Sequence, residues 1–270
     1  MHASAVADSY ERDGFCFPLR AIDDSAAKRC LAERDAALAR CSDDAVLRRV
    51  ASGFANIVLP TVDELSRCSE IVDPVTQILG PDVLVLGASF FAKPAESPQF
   101  VSWHQDLTYW DLSGDDEVTA WVALTASTVQ NGCMRFVPGS HRRPIVEHRD
   151  TDDPTNMLSR GQELAEPVAE NLAVDVELAP GEMSLHHGRM FHASGPNRST
   201  GPRIGVAVRY VAASMRQESG VRTLARLVAG EDRGGNFELF EGPTSVMDAV
   251  DVETARRSIA LQDGIRLGDE

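Results

Sequence analysis

A change of texture near Asp82 restricts the fold more than any other feature of this sequence. Upstream the chain is rich in helix formers. Asp23 and Asp24 precede a stretch that begins at Ala26 and continues to about Arg40, which predicts a helix. Thr61 and Glu64 have the spacing of a capping box ahead of a second helix ending near Gly80. Gly14 to Pro18 predicts a short strand stopped by its proline. Downstream the apolar residues run or alternate by twos: Val83–Phe91, Val118–Thr128 around Trp121, Cys133–Val137, Val174–Leu178, Met183–His187 and Ile204–Val211. Turns such as Pro138-Gly139-Ser140 and Ala179-Pro180-Gly181 separate them. Many strands with Pro/Gly turns predict a sandwich or barrel, with the helices buttressing it as one domain over residues 1–270. His148 to Asn171 is long, polar and proline-punctuated, as functional or mobile loops are. The tail from Gly220 predicts a helix around Val252 to Leu261.

Composition narrows the function classes. With 43% hydrophobic residues, a chain of 270 can bury a sizeable core. A net charge of -15 opposes nucleic acid, whose binders carry a basic face, and weighs against an anionic membrane surface. No apolar run approaches the roughly 18 residues of a spanning helix, and Met1 to Arg20 holds no apolar signal core. The five cysteines are scattered without a CxxC pair, so neither a disulfide framework nor a zinc knuckle is supported. A reduced, cytoplasmic setting is expected.

The chemistry concentrates in Trp103-His104-Gln105-Asp106, answered by His192 and then Arg203. On an extended strand, side chains two residues apart share a face, so His104 and Asp106 present an imidazole and a carboxylate together. On a helix they would diverge by about 200° and could not share an ion. Two imidazoles and one carboxylate hold iron(II) on one face and leave the other open. A buried arginine needs an anion, and Arg203 can hold a carboxylate-bearing co-substrate beside the metal. Four other histidines compete for the third ligand position. Of His186 and His187 only one can face inward, leaving the other to solvent; His141 suits a turn and His148 a solvated loop. The spacing of His192 to Arg203 favours His192.

Four ordered blocks make the chain resemble the phytanoyl-CoA dioxygenase family of iron(II)- and 2-oxoglutarate-dependent oxygenases. They are Lys93-Pro94 with Trp103-His104-Gln105-Asp106; Ala120 to Leu124; Asn131 to His141; and His192-Ala193-Ser194-Gly195-Pro196-Asn197 through Arg203. Tyr10 to Phe15 resembles the family's opening motif. The resemblance implies a mainly β fold with flanking α, a double-stranded β-helix (jelly-roll, cupin-like) core with N-terminal helices packed on one sheet. It implies His104, Asp106 and His192 as Fe(II) ligands and catalytic centre, with 2-oxoglutarate and O2 as co-substrates. Arg203 then meets the distal carboxylate of 2-oxoglutarate, and Trp121 and Ser194 fall where relatives touch the co-substrate. Trp121 reads equally as a core aromatic. The chain departs from a relative's contact near Ser89. Asp106 stands where halogenating relatives have a small residue, so hydroxylation is expected.

A small-molecule substrate is expected: an amino acid, a phosphonate or a natural-product intermediate. Arg160 and Gln162 are the expected substrate contacts, carried on a lid within the long loop. An acyl-CoA or carrier-tethered substrate is the alternative, for which Arg142-Arg143 is the nearest basic pair. A cupin-like metal-binding protein or a metallohydrolase is the alternative from another class, although neither requires a buried carboxylate anchor.

Overall fold

The change of texture at Asp82 is a change of layer. In a computed structural model describing residues 3–41, 43–158 and 161–267, helices come first. These are α1 (Ala3–Asp13), α2 (Asp24–Cys41), α3 (Ala45–Gly53), α4 (Ala55–Val58), α5 (Pro60–Ser66) and α6 (Ser69–Leu79), with strand β1 (Phe15–Arg20) between α1 and α2. Strands then dominate: β2 (Val83–Lys93), β3 (Val101–His104), β4 (Glu117–Ala123), β5 (Met134–Phe136), β6 (His148–Arg149), β7 (Glu163–Leu164), β8 (Val174–Val176), β9 (Glu182–His186), β10 (His192–Ser194), β11 (Arg203–Ala212), β12 (Leu224–Ala229) and β13 (Glu238–Leu239). Helix α7 (Ala249–Leu267) follows. Among the described residues no helix is long and apolar enough to cross a membrane.

A large sheet runs in the order β1-β9-β4-β11-β2-β12-β13 and a smaller one in the order β3-β10-β5-β8. They face each other as the two halves of a jelly roll, with the helices packed on the outer face of the large sheet. The period of two sorts the side chains. On β11, Ile204, Val206, Val208 and Tyr210 join the core shared with the helices. The alternate residues Arg203, Ala207 and Arg209 line the space between the sheets, and Gly205 lies against Trp121 there. On β4, Val118, Ala120 and Val122 face the helices, while Trp121 and Ala123 join a second core between the sheets with Phe15, Phe136 and Met190.

Several local expectations are corrected. Strand β1 does not stop at Pro18 but runs on to Arg20. It is the edge strand, where a missing N–H costs no ladder bond, and its pairing shifts register between Cys16 and Leu19. Thr61 caps nothing: Pro60 takes the first helical position and Leu59 the cap. The Thr61 N–H and hydroxyl donate instead to Glu33 of α2, at 2.9 and 2.8 Å. The expected single helix to Gly80 is two, broken at Arg67 and Cys68. The polar stretch from His148 folds back on itself through the short β6–β7 pair.

Neither His186 nor His187 faces solvent, because both sides of the end of β9 are covered. His187 stacks on Tyr10 and lies against His141. Its Nδ1 accepts the Arg189 N–H at 2.9 Å, which requires a neutral ring. Burial pushes the His187 imidazole down from 6.5 to about 4, with nearby Asp115 opposing. The unfolded chain takes up this proton near pH 6.5 and the folded chain only near pH 4, so stability falls as pH drops through that window. The fall in urea midpoint from pH 6.5 to 4 is expected to be shallower in His187→Gln. An equally steep fall would reject His187 as a source of acid sensitivity.

Candidate active site

His104 ends β3 and His192 begins β10, and the two are direct partners across the antiparallel pair. Their rings lie 4.0 Å apart between centroids. Gln105 remains extended, with φ -121° and ψ 128°, so the alternation carries past the end of the strand and returns Asp106 to the His104 side. Beyond Gln105 the strand gives way: Asp106–Tyr109 is a turn of 3₁₀ helix. The turn is held where the Leu107 N–H donates to Gly188 O at 3.0 Å. A Cβ at Gly188 would come 2.4 Å from Glu117 Oε2 and 2.6 Å from Leu107 Cγ, so only glycine permits this approach. Gln105 is the buried clamp beneath it. Its amide donates to Pro144 O and Arg189 O at 3.2 and 3.0 Å, and its Oε1 accepts from Val146 N at 2.9 Å.

The donor atoms fit a divalent cation. One ligand atom each from His104, Asp106 and His192 lie within 4.8 Å of one another. His104 Nδ1 faces Ser102 O at 2.9 Å and His192 Nδ1 faces Met190 O at 3.0 Å. A carbonyl oxygen only accepts, so each Nδ1 carries a proton and each Nε2 is turned inward. These Nε2 atoms stand 3.2 and 3.8 Å from the same Asp106 oxygen. Burial holds His192 well below its ordinary value and therefore neutral. Burial alone would raise the Asp106 carboxyl, but neighbouring His104, His186 and His192 outweigh it and hold it well below the usual range. Two imidazole Nε2 atoms and a carboxylate oxygen thus converge on one point, the donor set that a divalent cation takes.

Arg203 occupies the other side of a cavity of about 170 Å³ that also meets His104, Asp106 and His192. It is 2% exposed. Its guanidinium lies 4.3 Å over the Trp121 ring, its Nε donates weakly to Ser127 Oγ at 3.4 Å, and its Nη2 has no hydrogen-bond partner. Burial lowers it to about 10, so it stays cationic. Across the β2–β11 pair its direct partner is the buried Lys93. Burial first, and Arg203 second, lower Lys93 to about 7. Lys93 Nζ donates to Ser194 Oγ at 2.6 Å and to the carbonyls of Ser194 and Gly195. The Ser194 oxygen is thus occupied as an acceptor, which leaves its O–H free to donate into the cavity it lines. Trp121 belongs to the core between the sheets and also lines the cavity.

The expected substrate contacts fare differently. Arg160 lies outside the described residues. Gln162 does not line the cavity: its Nε2 donates to Asp150 at 2.8 Å and its carbonyl accepts from Ser102. The same loop does reach the site through Met157 and Leu158, held by the Met157 N–H on Phe100 O at 2.9 Å. Expected in a solvated loop, His148 is partly buried behind the site, and its Nε2 accepts the Gln105 N–H at 3.1 Å. Three residues that sequence reasoning left without a role line the cavity or brace it: His186, Arg209 and Lys93. For Arg209 a signal existed, since it stands six residues after Arg203 and on the same face of one strand.

Gly205 tests how closely this wall is packed. A Cβ there would lie 2.1 Å from Trp121 Cζ2, so the indole under Arg203 must move. Gly205→Ala is expected to cost about 1–3 kcal/mol in urea denaturation, as overpacking does, and to change the tryptophan emission. A variant as stable as the parent would show that the wall yields.

Comparison with known proteins agrees with this architecture. The family model described as phytanoyl-CoA dioxygenase (PhyH) matches residues 10–205. A probable alpha-ketoglutarate-dependent hypophosphite dioxygenase of Stutzerimonas stutzeri is 32% identical over 173 residues, covering 62% of this chain and 58% of that protein. A probable phytanoyl-CoA dioxygenase of Caenorhabditis elegans is 25% identical over 158 residues, covering 56% of this chain and 51% of that protein. The matches thus span little more than half the length of these curated relatives. Among solved structures, the apo form of the non-heme monooxygenase ThoJ superposes with a TM-score of 0.86 at 33% identity, covering 96% of each chain. With the family model matched from Tyr10 into β11, this chain belongs to the phytanoyl-CoA dioxygenase family.

Proposed function

We propose that this protein is an iron(II)- and 2-oxoglutarate-dependent oxygenase that hydroxylates an unactivated C–H bond of a small metabolite. The observation that carries the reading is the pairing of two incomplete sites in one cavity. Three donor atoms converge at one end, and at the other a buried guanidinium keeps an Nη2 that no described residue meets. Iron(II) with 2-oxoglutarate answers both at once. The bound metal supplies the activation of O2, in which 2-oxoglutarate gives succinate and CO2 while one oxygen atom enters the substrate C–H bond as hydroxyl.

The chain's own residues bind, orient and exclude water. His104, Asp106 and His192 hold the metal, with their tautomers set by Ser102 O and Met190 O. Arg203 takes the distal carboxylate of 2-oxoglutarate, Ser194 O–H adds a hydrogen bond, and the Trp121 face fixes the guanidinium. Tyr109, Trp110 and Met157 wall the cavity against bulk solvent. Asp106 fills the position that a halide would need, so hydroxylation is the outcome favoured here. A metallohydrolase would leave Arg203 without an anion at a considerable desolvation cost. An acyl-CoA is disfavoured because the nearest basic pair is engaged: Arg142 on Glu11 O, and Arg143 on both oxygens of Glu166.

Two outcomes are expected. Substrate-triggered succinate release is lost in His104→Ala and Asp106→Ala, and undiminished release in either variant would remove the assignment. In manganese, N-oxalylglycine raises the melting temperature of the parent more than malonate does, through binding linked to folding. That shift should shrink strongly in Arg203→Ala; retention of the full shift would detach Arg203 from the co-substrate.

A further inference from the structure

A second cavity of about 420 Å³ adjoins the first. The two share Tyr109, Trp110, Met157 and Arg209, which form the neck between them. The outer chamber is roofed by α7, whose Gln262 and Ile265 line it, and walled by Gly87 and Ser89 of β2. The tail beyond Gly220 therefore covers the mouth of the jelly roll.

Arg209 lies at the neck. It shares the inner face of β11 with Arg203, and six residues of strand put their Cα atoms about 20 Å apart. The two guanidinium groups thus mark opposite ends of one continuous space. Arg209 Nη1 donates to Ser89 Oγ at 2.9 Å, and the guanidinium lies 5.4 Å over the Trp110 ring. Among the described residues no carboxylate forms an ion pair with it. The acidic groups that act on it are Asp106 and Glu117. Asp106 belongs to the proposed metal site. Burial first, and Asp106 second, raise the Glu117 carboxyl well above its ordinary value, and its Oε1 accepts from Thr119 at 2.8 Å. The other arginine of the outer chamber, Arg49, is already neutralised by both oxygens of Asp263.

Space has been left beside this cation. The register partner of Arg209 on β2 is Gly87, and the β2–β11 ladder shifts just there, between Arg209 and Tyr210. A Cβ at Gly87 would meet nothing within 4 Å. A bulge at this place re-aims the strand's side chains, as bulges beside active sites do. Rigid aromatic packing on one side of the guanidinium and open volume on the other suit a planar or tetrahedral oxyanion.

We propose that the primary substrate binds at the neck between the two chambers and that Arg209 binds an oxyanion of it, a carboxylate or a phosphonate, setting the substrate opposite the co-substrate held by Arg203. The assignment rests on the oxygenase reading and names its substrate class. It also takes the place of Gln162, which does not line the cavity, as a recognition residue. The substrate is a small organic anion whose reacting carbon lies between its charged group at the neck and the His104–Asp106–His192 cluster.

The test uses the full chain loaded with manganese and N-oxalylglycine, with propionate, ethylphosphonate and uncharged propionamide as calorimetric probes. At least one anion is expected to bind saturably and propionamide at least about tenfold more weakly, the loss of a charge-assisted pair. Comparison of propionate with ethylphosphonate separates the two sources of oxyanion. Arg209→Gln should lose anion binding by about tenfold or more and Arg209→Lys should recover part of it, while both keep the N-oxalylglycine melting shift as evidence of an intact fold and co-substrate site. Equal binding of propionamide, unchanged anion binding in Arg209→Gln, or no binding of either anion would overturn the proposal. Absence of the N-oxalylglycine shift in the parent would instead strike the oxygenase reading on which it rests.

Discussion

Strand β11 has to satisfy two incompatible environments, and most of the molecule is arranged around that demand. One face, Ile204, Val206, Val208 and Tyr210, is sealed against helices. The other carries Arg203, Gly205, Ala207 and Arg209 into a cavity. A guanidinium between two sheets loses much of its hydration, and among the described residues no carboxylate forms an ion pair with either of these two. Trp121 and Trp110 each offer an aromatic face instead, worth up to a few kcal/mol when desolvated. The helical layer is what allows this. It supplies an ordinary apolar core on the far side of the sheet, so the inner face is free to be polar and incompletely satisfied.

The same economy explains the small residues. Gly205 makes room for the indole under Arg203, and Gly188 makes room for the turn that carries Asp106. Each brings a functional side chain closer than any other residue would permit. Stability is lost locally for geometry, as is common where binding sites are built on strands.

Much of this was legible in the chain. The strand texture after Asp82, the helix from Asp24 to Cys41 and the facing of His104 with Asp106 all follow from local periods. Features that depend on register between distant strands were not legible. Lys93 faces Arg203, and Gly87 faces Arg209, only because β2 pairs with β11. His148 reads as a solvated loop residue until its imidazole is seen to accept the N–H of Gln105. Pro18 reads as a strand terminator unless β1 is known to be an edge. The reading of Gln162 failed for a related reason: a polar residue in a long loop has as many partners in the loop itself, here Asp150, as in the site.

Register also bears on which imidazole completes the donor set. His186 is buried beside the cluster, with its Nε2 3.9 Å from Asp106 Oδ2, beyond hydrogen-bonding reach. Neither of its ring nitrogens has a hydrogen-bond partner. His192 is opposite His104 in the small sheet, whereas His186 is opposite Thr119 in the large one. The two therefore approach Asp106 from different walls and toward different oxygens, Oδ1 from His192 and Oδ2 from His186. Among the described residues the small-sheet pair has its Nδ1 protons held by backbone carbonyls, which turns both Nε2 atoms inward. The preference for His192 read from its spacing to Arg203 thus gains support from backbone carbonyls two residues upstream of each ring.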